Sequence, residues 1–325
     1  MKKRNEFPDL RTCEDLTDYF EDRALTHKEY CHYTKVATIE RILESRSLRL
    51  SCVEDFNDKC DKKQFGNEQE QKYYYSLCFS TGSTENLSLW YLYSGVDGHG
   101  GRISFTKARI KKMIHSSQYY LYEIDGKSKA EIKEVMPLKE NDTMKLCFRD
   151  VIYSQYQGKN VRLKYNTMTN NDFLSEEFKK YKTENAGIFK NLVWYYEKET
   201  RLLVELTGKA REAIDTGKKY AVKMSFPEDF EDKWLKIKFA PEVNDGIYFK
   251  IIRTNKKIYN FLKNTSNVKL SDNAGEVEMK LCEKCEHSCF KKCKDRQNKK
   301  DVVVKIWRKL KYVGVSDVPK LNRKP

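Results

Sequence analysis

Apolar positions along this chain recur at two spacings, and the switches between them mark its elements. Thr12 can cap a helix to Leu25, with Leu16, Tyr19, Phe20 and Arg23 at helical spacing. Tyr30 to Tyr33 reads as a short strand. From Val36 to Glu44 the period lengthens, and Val36, Ile39, Ile42 and Leu43 share one helical face. Leu48 to Ser51 is a second strand, and Asp55-Phe56-Asn57-Asp58 has turn composition. Tyr73 to Ser80 is a strand and Leu87 to Tyr93 a short helix. A glycine-rich turn, Gly95 to Gly101, leads into the strand Arg102 to Phe105. That turn is not a phosphate loop, since no helix opens after it with the fingerprint spacing and no G-K-[ST] occurs.

From about Lys107 to Gly187 the pattern is charged and predicts mostly helix, including Thr143 to Tyr156 and Asp172 to Lys182. Strand periodicity returns at Trp194 to Leu206, Tyr220 to Phe226 and Trp234 to Phe239. Asp245 to Leu262 predicts a strand and then a helix; Asn264 to Gly275 reads as a polar linker. The expected organisation is an N-terminal helix (1–29), an α+β domain (30–263) with a helical insertion at about 107–190, and a C-terminal stretch (264–325) of linker, cysteine cluster and basic tail. No internal repeat is visible.

Composition changes this picture in two places. Hydrophobic residues are 39% of the 325, a low share, but aromatics reach 13% and can build a core. No apolar run is long enough to span a membrane and no apolar segment follows the basic start, so the expected location is the cytoplasm, with no membrane partner. The net charge is +15, and from Cys282 onward 14 Lys/Arg face 5 Asp/Glu. Such a tail attracts phosphates by counterion release, so nucleic acid is the expected partner. The plainer reading is a solubilising or protein-binding surface.

Chemistry concentrates in two stretches about 160 residues apart: His32-Tyr33-Thr34, at a strand-to-helix corner, and Trp194-Tyr195-Tyr196-Glu197-Lys198-Glu199-Thr200-Arg201. Period 2 puts Tyr195, Glu197, Glu199 and Arg201 on one face of the second. Two carboxylates and a guanidinium cannot be buried together cheaply unless they pair. The face is therefore either a polar pocket or an exposed ion-pair ladder. Asn57 and Asp58 suit an Asx turn, Ser80 ends its strand, and Trp90 and Tyr93 offer aromatic faces for stacking or for the core.

Ten cysteines are present. Cys13, Cys31, Cys52, Cys60, Cys78 and Cys147 are scattered and read as reduced, small core residues. Cys282, Cys285, Cys289 and Cys293 cluster around His287 at a spacing suited to one tetrahedral Zn²⁺, tighter than the usual two-knuckle site. A reduced cysteine-rich helix or a disulfide pair is the alternative.

The order of short motifs resembles a bacterial domain family of unknown function found around phage-defence and toxin loci, itself similar to ADP-ribosyltransferases. The resemblance runs over about residues 30 to 206. It rests on His32-Tyr33-Thr34 before a helix, Leu48-Arg49-Leu50-Ser51, Phe56-Asn57-Asp58, Cys78-Phe79-Ser80, Leu89-Trp90-Tyr91-Leu92-Tyr93, Gly101-Arg102-Ile103-Ser104-Phe105 and Tyr196-Glu197-Lys198-Glu199-Thr200-Arg201. It implies a split, bent β-sheet core with NAD as substrate. His32 would hold the ribose hydroxyls, Thr34 and Ser80 would help orient the nicotinamide amide, and Tyr33 and Asn57 would be further cofactor-binding residues. Tyr93, or Trp90, would stack on the ring. Glu199 would contact the ribose of the oxocarbenium-like transition state and activate the acceptor, with Glu197 the alternative, and Arg201 would hold either carboxylate or a phosphate. The chain lacks the Ser-Thr-Ser strand motif of the best-known members, and the cysteine cluster and basic tail lie outside the resemblance.

The function these readings favour is a toxin that transfers ADP-ribose from NAD to a macromolecule, nucleic acid and RNA foremost, with a neutralising antitoxin protein as partner. A zinc-stabilised nucleic-acid-binding module without catalysis is the second reading. A metal-dependent nuclease using Asp58, Glu197 and Glu199 is the third.

Overall fold

The computed structural model describes residues 23–82, 85–94, 100–128, 130–157, 160–164, 172–174, 185–187, 189–215, 217–241, 257–258, 260–261 and 268–270. Most of the expected N-terminal helix, most of 245–262, and the cysteine cluster with the basic tail lie outside them. In chain order the strands are β1 (Glu29–Lys35), β2 (Ser47–Cys52), β3 (Tyr74–Ser80), β4 (Gly100–Thr106), β5 (Gln118–Ile124), β6 (Glu131–Leu138), β7 (Met144–Asp150) and β8 (Ile152–Gln157). There follow β9 (Asn160–Lys164), β10 (Asp172–Leu174), β11 (Phe189–Asn191), β12 (Glu199–Leu206), β13 (Lys219–Ser225), β14 (Lys236–Phe239) and β15 (Val268–Leu270). The protein is a mixed α+β fold with a large antiparallel sheet. Among the described residues no helix is long and apolar enough to cross a membrane.

Two compact units divide the chain. The first takes Met1–His32, Ser45–Thr84 and Phe105–Phe230; the second takes Tyr33–Glu44, Glu85–Ser104 and Glu231–Pro325. In the first, β12 is the central strand, bonded along its length to β3 on one edge and β7 on the other. Its Leu202, Leu203 and Val204 are buried, which explains an apolar run without polar alternation. Because β12 fills one edge of β3, the other edge is shared. Cys31 of β1 lies opposite Ser80, while Ser51 and Cys52 of β2 lie opposite Ser76 and Tyr75. β1 and β2 therefore take different ends of one strand, a split in the sheet. Beyond β2 the order continues through β13, β5 and β6, antiparallel at each step.

The expected helical insertion is a correction. Among the described residues of this stretch only Lys107–Ser116 is helical; Met144–Asp150 and Ile152–Gln157 form β7 and β8, Asp172–Leu174 forms β10, and the rest of the expected helix, 175–182, lies outside the described residues. β8, β9 and β10 pair antiparallel, and β11 joins β8 in parallel to complete a second, four-stranded sheet. The charged pattern misled because β7 is only half-buried along its middle, yet pairing with β12 settles its conformation. Likewise Val268–Leu270, inside the expected linker, is a short strand.

In the second unit the helix Val36–Ser45 buries Val36, Ile39 and Ile42, with Ile39 against Gly101 of β4. β14 pairs antiparallel with β4 and parallel with β15.

One glycine in the first unit has no substitute. Gly187 has φ +87°, and a Cβ there would lie 2.4 Å from Cζ of Phe65. Gly187→Ala combines a left-handed backbone with a clash against a buried ring, and is expected to cost about 2 kcal/mol or more. A urea denaturation midpoint checks this; an unchanged midpoint would mean that this turn can rearrange freely.

Candidate active site

The expected strand from Trp194 is a second correction. Leu192–Glu197 is a 3₁₀ turn, started by the Asn191 side chain, which accepts from the Val193 N–H at 3.0 Å. Lys198 closes the turn in the left-handed region (φ 44°, ψ 55°), and β12 begins only at Glu199. Trp and Tyr favour strands, but the Asn cap and the left-handed Lys198 override that preference. The end of β3 grips the corner: Ser80 Oγ donates to the Glu197 carbonyl at 2.7 Å, and Thr81 donates to the Lys198 carbonyl through both N–H (2.8 Å) and Oγ1 (2.9 Å).

Glu199, Arg201 and Leu203 share one face of β12 by period 2. Leu203 packs with Val53 and Phe65, with Phe56 beside them. The Arg201 guanidinium lies over the Phe56 ring at 5.4 Å. It donates twice to Asp61 (2.6 and 2.8 Å), twice to Glu199 (2.7 and 3.1 Å), and to the Gly187 carbonyl at 2.7 Å. The Lys190 ammonium of β11 donates to Glu199 at 3.0 Å and also to Glu197. The Tyr153 hydroxyl of β8 accepts the Glu199 N–H at 2.9 Å. All five charged groups are buried, with Glu197 4% and Glu199 6% exposed. The charged face read from the sequence is thus a paired, buried cluster and not a surface ladder.

Asp61, Tyr153 and Lys190 were not expected from the sequence. Asp61 follows Asp58, whose carboxylate caps the helix Lys59–Lys62 by accepting the N–H of Cys60 and Asp61. Lys190 sits between buried Phe189 and the 3₁₀ turn. A lysine beside a buried phenylalanine in a short strand was the one available hint.

Three carboxylates share two cations, and that imbalance sets the charge states. Burial, and then the neighbouring Glu199, push Glu197 up to about 7. Burial alone would also raise Glu199, but Arg201 and Lys190 outweigh it, and a hydrogen bond from the Cys78 thiol adds to them; its carboxyl is held well below the ordinary range. Burial disfavours charge on Lys190, yet Glu199 and Glu197 raise it above an ordinary ammonium. Two carboxyls in contact with one ammonium thus differ in protonation near neutral pH.

This has a sign in stability. Glu197 keeps its proton to about 7 when folded, against 4.5 for an ordinary glutamate, so folding takes up a proton between those values. Its contribution is whole below about 4.5, falls as pH rises, and levels off above about 7. Glu199 acts oppositely, its contribution being present above the ordinary carboxyl range and lost as pH falls through it. Glu197→Gln is expected to remove the decline across the 4.5-to-7 window. Melting temperatures of parent and variant across that window check it, and identical slopes would assign the proton to another group.

His32 donates from Nδ1 to the Cys78 carbonyl at 2.9 Å, and burial lowers its pKa. A carbonyl only accepts, so the neutral ring presents Nε2 as an acceptor. Tyr33 and Thr34, which follow it, fall in the second unit. Tyr33 is buried, edge-on to Trp90 (centroids 4.8 Å apart) and under the Arg102 guanidinium at 5.6 Å. Trp90 is 1% exposed and gives its indole N–H to Glu85 at 3.0 Å; Tyr93 is 41% exposed and Thr34 half-buried. Asn57 is exposed in the first unit, just ahead of the Asp58 cap.

The metal readings fare differently. Cys282, Cys285, Cys289 and Cys293 lie outside the described residues; within them no group of three or more His, Cys, Asp or Glu is placed to hold a metal ion. Cys31, Cys52, Cys60, Cys78 and Cys147 take part in no disulfide. The nuclease reading meets a geometric obstacle, since Asp58 is spent on a helix cap and Glu197 and Glu199 on cations.

Fold and site together define a mixed α+β protein whose large antiparallel sheet carries a buried pair of unequal glutamates at the start of its central strand. No family model matches the chain, and no curated protein matches it. Among solved structures it is similar to Thermus sp. 2.9 DarT in complex with carba-NAD+, at 10% identity and a TM-score of 0.30, covering 76% of this chain and 97% of that one. A likeness at that level assigns neither activity nor substrate.

Proposed function

We propose that this chain is an NAD-dependent ADP-ribosyltransferase, a cytoplasmic toxin of a bacterial defence or toxin–antitoxin system. Its acceptor is a macromolecule, with nucleic acid, and RNA foremost, the favoured class. The observation that carries this reading is the contrast between Glu197 and Glu199 on a shared ammonium: one carboxyl titrates near neutrality, the other stays ionised. Cleavage of an N-glycosidic bond uses that division of labour.

The bond broken joins the nicotinamide nitrogen to C1′ of the ribose. Its electron pair leaves with nicotinamide, which departs neutral. Positive charge develops on the ribose, and ionised Glu199 stabilises it where it forms. The acceptor O–H or N–H attacks C1′, and its proton passes to the Glu197 carboxylate. His32 accepts a ribose hydroxyl at Nε2, its ring fixed by the Cys78 carbonyl. Ser80 holds the corner that carries Glu197. The net charge of +15 favours a polyanionic acceptor over protein. A neutralising antitoxin is the partner that such a toxin requires in its own cell.

The test is incubation of the purified chain with NAD labelled in the adenylate, together with total RNA, DNA and cell protein. Label in the RNA pool is the expected result. Label in DNA or protein keeps the transferase and corrects the acceptor, while no label anywhere with NAD intact overturns the proposal.

A further inference from the structure

We infer that Lys190 is a positioning residue, the clamp that holds Glu197 against Glu199 and makes Glu197 the group that takes the acceptor's proton. The inference rests on the proposed transfer and assigns a role to a residue outside the short motifs of the sequence. Lys190 is 8% exposed, and its ammonium bonds both carboxylates, to Glu199 at 3.0 Å. It also lies over the Trp194 ring at 5.2 Å, so the 3₁₀ turn that carries Glu197 is held by its charge from both ends.

The placement comes from the four-stranded sheet. Lys190 on β11 is in register with Tyr153 on β8, and Tyr153 accepts the main-chain N–H of Glu199. Neighbouring strands of one small sheet thus supply the ammonium and the hydroxyl that fix the start of β12. Arg201 cannot replace Lys190, because its five donors are committed to Asp61, Glu199 and Gly187. Lys190, Arg201, Cys78, Tyr153 and Tyr196 face the two glutamates. Of these Arg201 and Lys190 are cationic, and removal of Lys190 takes away the ammonium that bonds Glu197 directly.

The experiment titrates the glutamate side chains by carbon NMR in the full chain, with Glu197 assigned by its loss in Glu197→Gln. It compares the parent with Lys190→Met, Lys190→Gln and Lys190→Arg. Loss of the charge is expected to move the Glu197 midpoint up by about 1–3 pH units, while Lys190→Arg stays near the parent. The alkaline shift is expected again in the pH profile of nicotinamide release. Lys190→Gln, which keeps a polar group, gives the reading where Lys190→Met does not fold. An unmoved Glu197 midpoint in the neutral variants, or a Lys190→Arg midpoint displaced as far as theirs, overturns the inference. A parent that titrates as expected but releases no nicotinamide defeats the proposed reaction and leaves the clamp standing.

Discussion

Arg201→Met is expected to destabilise the first unit by about 3–5 kcal/mol. The guanidinium is 1% exposed and closes two bidentate contacts, with Asp61 and Glu199. Methionine fills much of the volume but takes the cation from buried Asp61 and leaves Glu199 with Lys190 alone, and an uncompensated buried charge costs more than the ion pair contributes. The companion change Asp61→Asn is expected to recover part of the loss, since the stranded charge is then gone. Urea denaturation of both variants checks the pair of results. A loss under about 1 kcal/mol for Arg201→Met would put the cluster in the class of exposed ion pairs.

Under the proposed reaction, Glu199→Gln is expected to retain the fold and NAD binding and to lower transfer about 10²–10³-fold. The amide has the shape of the carboxylate, and Arg201 keeps its bidentate contact with Asp61. What disappears is the fixed negative charge next to the developing cation. The effect therefore belongs in the rate of nicotinamide–ribose cleavage at saturating NAD, not in NAD affinity. Single-turnover kinetics with parent and variant separate the two. Full-rate transfer by Glu199→Gln would remove Glu199 from the chemistry.

Much of the first unit was legible in the chain because its strands are bounded by turns and carry distinctive apolar runs. β2, β3 and β13, and in the second unit the helix Val36–Ser45, fall within a residue or two of the periodicity that announced them. The rule that buried charges must pair also anticipated the cluster, though not its members. Asp61 and Lys190 reach it from 140 and 11 positions away in sequence, and no local spacing relates them to Arg201. The stretch from Lys107 to Gly187 failed for a related reason. Its strands present mixed, half-exposed faces, so only their neighbours in space decide between helix and sheet. At Trp194 the aromatic run suggested a strand, and the cue for the turn, Asn191, was too slight beside it.

The Arg201–Asp61 pair joins residues 140 positions apart, and Glu199 completes its shell only with Lys190 and Tyr153 in place. Contacts of such sequence separation form late, because the entropy of closing long loops must be met before they reward the chain. On the ribosome, no chain that ends before β12 can own this centre, however well its earlier strands have paired. A cell making the protein is therefore exposed to the assembled cluster only after most of the chain has emerged.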